Sequence, residues 1–222
     1  MRHKKWIGML LGMAVLALAG CGNAAEKAAD VMPLEPVYAA EASDQMPDGS
    51  YAVAFQTTDL QQTADGYALT MEFYDYDRYA EDDILNLQEG DTIQVQKETV
   101  KVKTVELEQN EAGAVTYAVI NGGIEAGGFE LTTDDIWGGY RTVTMDDYPL
   151  YYSIGSATLP ISRDMTLQDC SDYETLPDGL VTTYADLPDS ITENANDNWN
   201  MTGTEITVRD GQIVQIIRHW TP

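Results

Sequence analysis

The sequence has 222 residues, of which 12 are Lys or Arg and 37 are Asp or Glu, so its net charge is −25 at pH 7. A chain this acidic lacks the cations that neutralise phosphates, which excludes nucleic acid as a partner. The two cysteines and two histidines leave few side chains for thiol or imidazole chemistry.

The first 21 residues have the pattern of an export signal. Residues 2–5 include three basic side chains, and residues 6–19 carry no charge and form a run too short to cross a bilayer comfortably. Residues 18–21, Leu-Ala-Gly-Cys, resemble the lipobox of bacterial lipoproteins. The resemblance implies a signal peptide over residues 1–20, cut before Cys21, and acyl chains such as palmitate on that cysteine. The alternative, a buried helix with Cys21 as a core thiol, requires a polar face that the segment lacks.

Lipidation at Cys21 would place the protein at the cell membrane, on its extracytoplasmic face. Cleavage removes three basic residues and no acid, so the net charge would change from −25 to −28. Because anionic lipid headgroups repel such a chain, we expect the lipid to supply the membrane attachment. With Cys21 acylated, Cys170 has no intrachain disulfide partner, so the domain must be held by its core alone.

Two regions follow the signal. Residues 22–48 are rich in Ala, Glu, Asp and Pro without sustained hydrophobic periodicity, so we predict an acylated cysteine and flexible stalk over residues 21–48. Residues 49–222 form short alternating runs of apolar and polar residues separated by turn residues. This pattern and length predict a single acidic, β-rich domain.

Apolar residues of the domain recur mostly with a period of two. Tyr51, Val53 and Phe55 alternate in the first run, and the second run places four large residues on one face, namely Tyr67, Leu69, Met71 and Phe73. The pattern continues at residues 93–95, 100–107, 115–119, 140–145, 150–154 and 159–161. The phase slips by one near residues 103–104, which predicts a β-bulge there.

The C-terminal region contains the clearest turn signal. Asp210-Gly211 separates two β-rich runs, as a type I′ hairpin requires. Helix signals are confined to residues 80–87 and 184–193. We therefore predict an all-β fold, an antiparallel sandwich or small barrel of short strands with a C-terminal β-hairpin.

One group of residues suggests nucleophilic catalysis. Asp169-Cys170-Ser171 is similar to the start of the NlpC/P60 cysteine peptidases, and His219 follows Cys170 by 49 residues. The resemblance implies a hydrolase with Cys170 as nucleophile and His219 as its partner. The family's next glycine is Asp172 here, and only three residues follow the histidine. We expect no enzymatic activity, with Cys170 an inert, partly buried thiol.

Two acidic clusters are candidates for weak calcium binding. The first contains Asp75, Asp77, Glu81, Asp82 and Asp83, and the second contains Asn194, Asn196, Asp197 and Asn198 with Glu205 further on. Trp199 stands where an EF-hand loop needs glycine, so we interpret both clusters as solvated loops. The glycines of residues 122–128 lack the Lys of a P-loop and predict two tight turns flanking a short edge strand. We expect no cofactor and no metal.

Tyrosine is abundant, with 13 Tyr and 4 Trp against 3 Phe. Tyrosine-rich surfaces are common where proteins recognise sugars or peptides. The candidate ligand-binding surface comprises Trp137, Tyr140, Tyr148, Tyr151 and Tyr152; the alternative is that these residues cover the polar faces of strands. The sequence thus predicts a lipid-anchored, non-catalytic binding or structural module of the bacterial envelope, with an envelope ligand or a protein as partner.

Overall fold

The computed structural model describes residues 32–37, 41–172, 174, 178–192 and 199–220. The predicted signal peptide, Cys21 and the residues 194–198 lie outside the described residues. The described chain contains two short helices, α1 (Glu81–Leu85) and α2 (Leu187–Thr192). Its strands are β1 (Gly49–Ala54), β2 (Leu60–Gln62), β3 (Tyr67–Asp75), β4 (Arg78–Tyr79), β5 (Thr92–Val95), β6 (Glu98–Lys101), β7 (Val105–Gln109), β8 (Val115–Ile120), β9 (Phe129–Thr133), β10 (Tyr140–Val143), β11 (Tyr152–Asp169), β12 (Leu180–Thr183), β13 (Thr204–Arg209) and β14 (Gln212–Arg218).

Five strands close into a barrel. β1 pairs with β3 and β13, β3 with β11, β11 with β14, and β14 with β13, so each barrel strand has two barrel neighbours. Only the β11–β14 pair is parallel among these five pairings. Along the chain the barrel strands are β1, β3, β11, β13 and β14. The fourth of them, β13, pairs with the first, β1, which is a Greek-key arrangement. The predicted all-β fold, with its small barrel and C-terminal hairpin, is confirmed.

The barrel encloses the first of two hydrophobic cores. Alternate residues of β3, namely Leu69, Met71 and Phe73, are buried inside it, as their period of two predicts. Trp199 is also buried here and stacks on Phe55 with ring centroids 5.0 Å apart. The barrel is therefore filled by side chains.

Between β3 and β11 the chain leaves the barrel and builds a second sheet. Its strand order is β4-β10-β9-β8-β7, accompanied by the separate hairpin β5–β6. These elements share a second core that includes Ile93, Ile120 and Leu131. The region predicted as one domain thus contains two cores, one in the barrel and one in this insertion.

Some local predictions need correction. Residues 103–104 are not a bulge within one strand, because the chain there passes from the β5–β6 hairpin to β7 of the second sheet. The Asn121 side chain holds this crossing by accepting the backbone N–H of Lys103 at 2.7 Å. The glycine-rich run contains a 3₁₀ turn at Ile124–Ala126 in place of an edge strand. The run at 159–161 belongs to the long strand β11.

Part of the predicted stalk packs against the rest of the chain. Leu34 donates its backbone N–H to the Thr92 carbonyl at 2.8 Å, and Ala42 donates to the Ile154 carbonyl at 2.8 Å. Met46 is buried in the barrel core. Residues 32–37 and 41–48 are therefore not a free linker, because their apolar side chains and backbone groups find partners on both cores.

Candidate functional site

The described surface has a groove where β1, β3 and β13 meet the loop between β9 and β10. Its volume is about 440 Å³. We call it the aromatic groove because five aromatic side chains line it, namely Tyr51, Tyr74, Tyr76, Trp137 and Tyr151. The polar residues that also line it include Asp48, Asp75, Arg78, Thr204, Glu205 and His219.

Strand register explains the space within the groove. Ala52 of β1 is paired with Glu205 of β13 on one side and with Tyr74 of β3 on the other. Side chains at paired positions lie on the same face of a sheet, so the small Ala52 separates two larger neighbours. Thr204, the neighbour of Glu205, faces the other side of β13 together with Ile206 and is only 2% exposed. The open volume of the groove therefore lies over Ala52, between Tyr74 and Glu205.

A tight turn presents Trp137 at the edge of the groove. The carboxylate of Asp134 is buried and accepts the backbone N–H groups of Ile136 at 2.9 Å and Trp137 at 3.1 Å. Its other oxygen accepts the Tyr76 hydroxyl at 3.1 Å. Trp137 remains 64% exposed although its backbone is held in this way. We call residues 134–139 the Asp134 turn.

Arg78 joins the turn to the barrel side of the groove. Its guanidinium carbon lies 5.1 Å from the Trp137 ring centroid and 5.4 Å from that of Tyr76, both within cation–π range. Its Nη2 lies 3.3 Å from Oδ2 of Asp75. Tyr151 packs edge-on against Tyr76 with centroids 5.7 Å apart. Arg78 is thus occupied by contacts within the protein.

The groove combines tyrosine hydroxyls that stay neutral with carboxylates that form no salt bridge among the described residues. Burial, followed by the nearby Asp134 carboxylate, raises the pKa of Tyr76, and burial also raises the pKa of Tyr151. Both hydroxyls therefore stay protonated at neutral pH. Among the described residues, no Lys or Arg forms a salt bridge with Asp48 or Glu205. These two acids leave the groove negative.

The aromatic groove includes two of the five residues predicted from the sequence. Trp137 and Tyr151 line it. Tyr140 does not belong to any exposed surface, because it is 1% exposed in the second core and donates its hydroxyl to the Val115 carbonyl at 2.8 Å. Tyr148 lies in the turn after β10, Tyr152 begins β11, and neither lines the groove.

The sequence prediction missed Tyr51, Tyr74 and Tyr76. Tyr51 and Tyr74 lie on strands that the pattern predicted, but pairing between these strands is not visible in the pattern. Tyr76 stands between Asp75 and Asp77, two members of the acidic cluster, so acids dominate the sequence pattern there. The signal that could have drawn attention to it is the alternation of Tyr and Asp in residues 74–77.

Cys170 and His219 follow the ends of the parallel strands β11 and β14. The backbone N–H of Cys170 donates to the Arg218 carbonyl at 2.7 Å, which makes the two segments neighbours. No hydrogen bond joins the Cys170 sulfur to the His219 ring within the described chain. Asp169 is occupied by Arg218, with Nη1 and Oδ2 3.5 Å apart, and by the Ser171 hydroxyl. The pairing between nucleophile and base that such chemistry uses is therefore not formed here.

The acidic residues are dispersed in the parts that the structure describes. No three His, Cys, Asp or Glu side chains there gather into a group that could hold a metal ion. Asp75 pairs with Arg78, Asp77 is buried beside Gln96, and Glu205 lines the aromatic groove. Most of the second acidic cluster lies outside the described residues.

Neither α-helix of the described chain is long and apolar enough to span a membrane. Comparison of the chain with protein-family models, with curated proteins and with solved structures finds no match.

Proposed function

We propose that this chain is a lipoprotein anchored through acylated Cys21 to the extracytoplasmic face of the cell membrane, and that it binds a ligand in the aromatic groove without catalysis. The observation that carries the binding proposal is the groove of about 440 Å³ with its five aromatic side chains. Concave sites of this size, with aromatic walls and a few polar groups, are typical of ligand pockets.

The contacts around the groove support a binding role. The Asp134 turn and the Arg78 stack hold the aromatic rings before any ligand arrives, which lowers the entropy lost on binding. His219, the imidazole beside the groove, is exposed and donates its backbone N–H to the Gly203 carbonyl at 2.7 Å. The groove thus combines stacking surfaces with hydrogen-bonding groups.

The anchoring proposal is tested by Cys21→Ser in the full chain. In a bacterial host supplied with an azide-tagged palmitate, the wild-type chain should be labelled and should partition into the detergent phase. Cys21→Ser should lose the label and move to the aqueous phase, since acyl chains supply the attachment. Cys170→Ser is the matched control and should behave like wild type. Equal labelling of wild type and Cys21→Ser would reject the anchor.

The binding proposal is tested by filling the groove. A library of small fragments is screened by ligand-observed NMR against the full chain in detergent. Ala52→Leu should abolish the binding of groove fragments, because it adds side-chain volume between Tyr74 and Glu205. Ala112→Leu, at an exposed position outside the groove, is the control and should retain them. Binding unaffected by Ala52→Leu, or no binding to wild type, would reject the proposal.

The adjacency of Cys170 and His219 keeps a cysteine hydrolase as the second candidate. A reactive thiolate reacts rapidly with iodoacetamide, whereas a structural thiol does not. We expect Cys170 to react slowly in the folded chain and at the same rate in His219→Ala. Fast labelling that depends on His219 would favour the hydrolase.

A further inference from the structure

We infer that the ligand is a saccharide whose substituents are hydroxyl, amino or acetamido groups and that carries no acidic group. This inference rests on the proposed function, because it names the ligand class of the same aromatic groove. Its basis is the combination of an exposed aromatic platform, two carboxylates without a salt bridge among the described residues, and strands that have a neighbour on both sides.

The platform is Trp137. Its ring is 64% exposed while the Asp134 turn holds its backbone through the Ile136 and Trp137 N–H groups. A sugar ring presents a flat face of C–H groups, which an aromatic ring covers with large apolar area. Because the turn is already ordered, stacking on Trp137 requires little further loss of conformational freedom.

The acceptors determine which polar groups the ligand brings. Carboxylates accept hydrogen bonds and donate none. Asp48 already accepts the backbone N–H of Asp210 at 2.8 Å, so its other oxygen and the carboxylate of Glu205 are the acceptors that donors on a ligand can match. Arg78 does not offset these charges because it is paired with Asp75 and stacked between two rings. Hydroxyl and ammonium groups suit such acceptors, whereas an acidic ligand is repelled by them and by the net charge of −25.

The strand pairing argues against a peptide. Extended peptides bind proteins by adding a strand to an open sheet edge. Beneath the groove, β1 pairs with β3 and β13, β13 also pairs with β14, and β3 also pairs with β11. Each of these strands has a neighbouring strand on both sides, although β1 pairs with β3 only over Ala52–Ala54 and with β13 only over Gly49–Ala52. Because none of them has a whole edge unpaired, we expect recognition to use side chains.

A second depression indicates that the saccharide has more than one unit. It measures about 270 Å³ and is lined by Ala54, Thr70 and Glu72 among others. Ala54 lies on the same face of β1 as Ala52, about 7 Å further along the strand. A disaccharide or longer chain can therefore extend from Trp137 in the groove toward Glu72.

The inference is tested by calorimetric titration of the full chain in a detergent without a sugar head group. The probes are tetramers of glucosamine, N-acetylglucosamine and galacturonic acid, and tetralysine. We expect the first two to bind, the glucosamine tetramer more tightly, and the acidic tetramer not to bind. Monomeric glucosamine should bind more weakly than its tetramer.

Single-residue variants identify where the sugar tetramers bind. Trp137→Ala should weaken binding of both sugars by about tenfold or more, as truncation of a central tryptophan does at binding hot spots. Trp220→Ala, at an exposed tryptophan outside the groove, should leave it unchanged. Glu205→Gln should weaken the binding of the glucosamine tetramer more than the binding of the N-acetylglucosamine tetramer. Glu106→Gln on β7 is the control for this variant. The melting temperature of each variant verifies folding.

Three outcomes would overturn the inference: equal binding of the acidic tetramer, sugar binding insensitive to Trp137→Ala, or binding of tetralysine alone, which would indicate a basic peptide. If no sugar binds while fragments still bind in the groove and are lost in Ala52→Leu, the saccharide assignment fails and the proposed function stands. If the fragments also fail to bind, the proposed function fails with it.

Discussion

Asp77 shows how strongly one residue's environment changes its interpretation. The sequence places it in an acidic cluster suited to calcium, but the structure buries it completely. Its Oδ2 accepts the backbone N–H of Gln96 at 2.6 Å, and its Oδ1 has no hydrogen-bond partner within the described chain. Loss of solvent raises the pKa of Asp77 to about 6, with a further contribution from Asp75 and an opposing one from the Gln96 hydrogen bond.

This buried carboxyl predicts a specific pH dependence of stability. An unfolded Asp has a pKa near 3.9, so from about pH 4 to pH 6 the folded state holds a proton that the unfolded state has released. Asp77 therefore lowers the free energy of unfolding as pH rises through this window, by about 3 kcal/mol in total. Below pH 4 both states are protonated and the contribution disappears.

Asp77→Asn tests this prediction because asparagine cannot ionise. Urea unfolding at a series of pH values should show the variant gaining stability relative to wild type between pH 4 and pH 7, by about 3 kcal/mol. Asp65→Asn, at an exposed carboxyl, is the control and should gain much less. A constant difference between Asp77→Asn and wild type across this range would contradict the prediction.

At the scale of elements, turns determine where the side chains of the aromatic groove lie. The Asp210-Gly211 hairpin follows from local sequence, and both residues have the positive φ of a type I′ turn, 49° and 71°. The Asp134 turn could not be predicted in the same way. Its shape depends on Tyr76, which lies between β3 and β4, and on the close approach of Gly139 to the Tyr79 carbonyl.

Two adjacent glycines of the Asp134 turn make a matched pair. Gly138 and Gly139 have φ values of 76° and 75°, so alanine is strained at both, by about 1 kcal/mol. A Cβ on Gly139 would lie 2.2 Å from the Tyr79 oxygen, whereas one on Gly138 meets nothing within 4 Å. We therefore expect Gly139→Ala to lower the free energy of unfolding by at least about 1 kcal/mol more than Gly138→Ala.

Chemical denaturation of the two variants gives this difference directly. The fluorescence of Trp137 in the folded state provides a second measurement, because displacement of the turn moves the indole relative to Arg78. Equal stability of the two variants would mean that Gly139 does not need its close approach to Tyr79.

At the scale of the whole molecule, net charge acts against compactness. The described residues contain two salt bridges between side chains, while the full sequence carries 37 acids and 12 Lys or Arg. Folding brings these acids closer together, and their repulsion is screened by salt. Stability should therefore depend on ionic strength.

Raising sodium chloride from about 0.01 M to about 1 M shortens the Debye length from about 30 Å to about 3 Å. We expect the free energy of unfolding in urea to rise by on the order of 1 kcal/mol, since weakened repulsion favours the folded state. Potassium chloride should raise the free energy of unfolding by the same amount, and calcium chloride at matched ionic strength should raise it no further. A separate increase at millimolar calcium would instead indicate a specific cation site.

The sequence by itself determined the features that depend on neighbours along the chain. The alternation in β1 and β3, the hairpin at Asp210-Gly211 and the positions of both helices are local, because they arise from side-chain period and turn conformation. The lipobox prediction at Cys21 is local in the same way and awaits the labelling experiment.

Only the tertiary structure decided which faces are covered and which side chains meet. β3 and β11 close the barrel although the whole second sheet separates them in sequence. That closure brings Tyr151 to Tyr76, whereas the packing of β10 buries Tyr140, although Tyr140 and Tyr151 are the same residue type. The reason is physical: an alternating pattern defines two faces of a strand, but pairing register and contacts with distant segments decide which face becomes core and which becomes a binding surface.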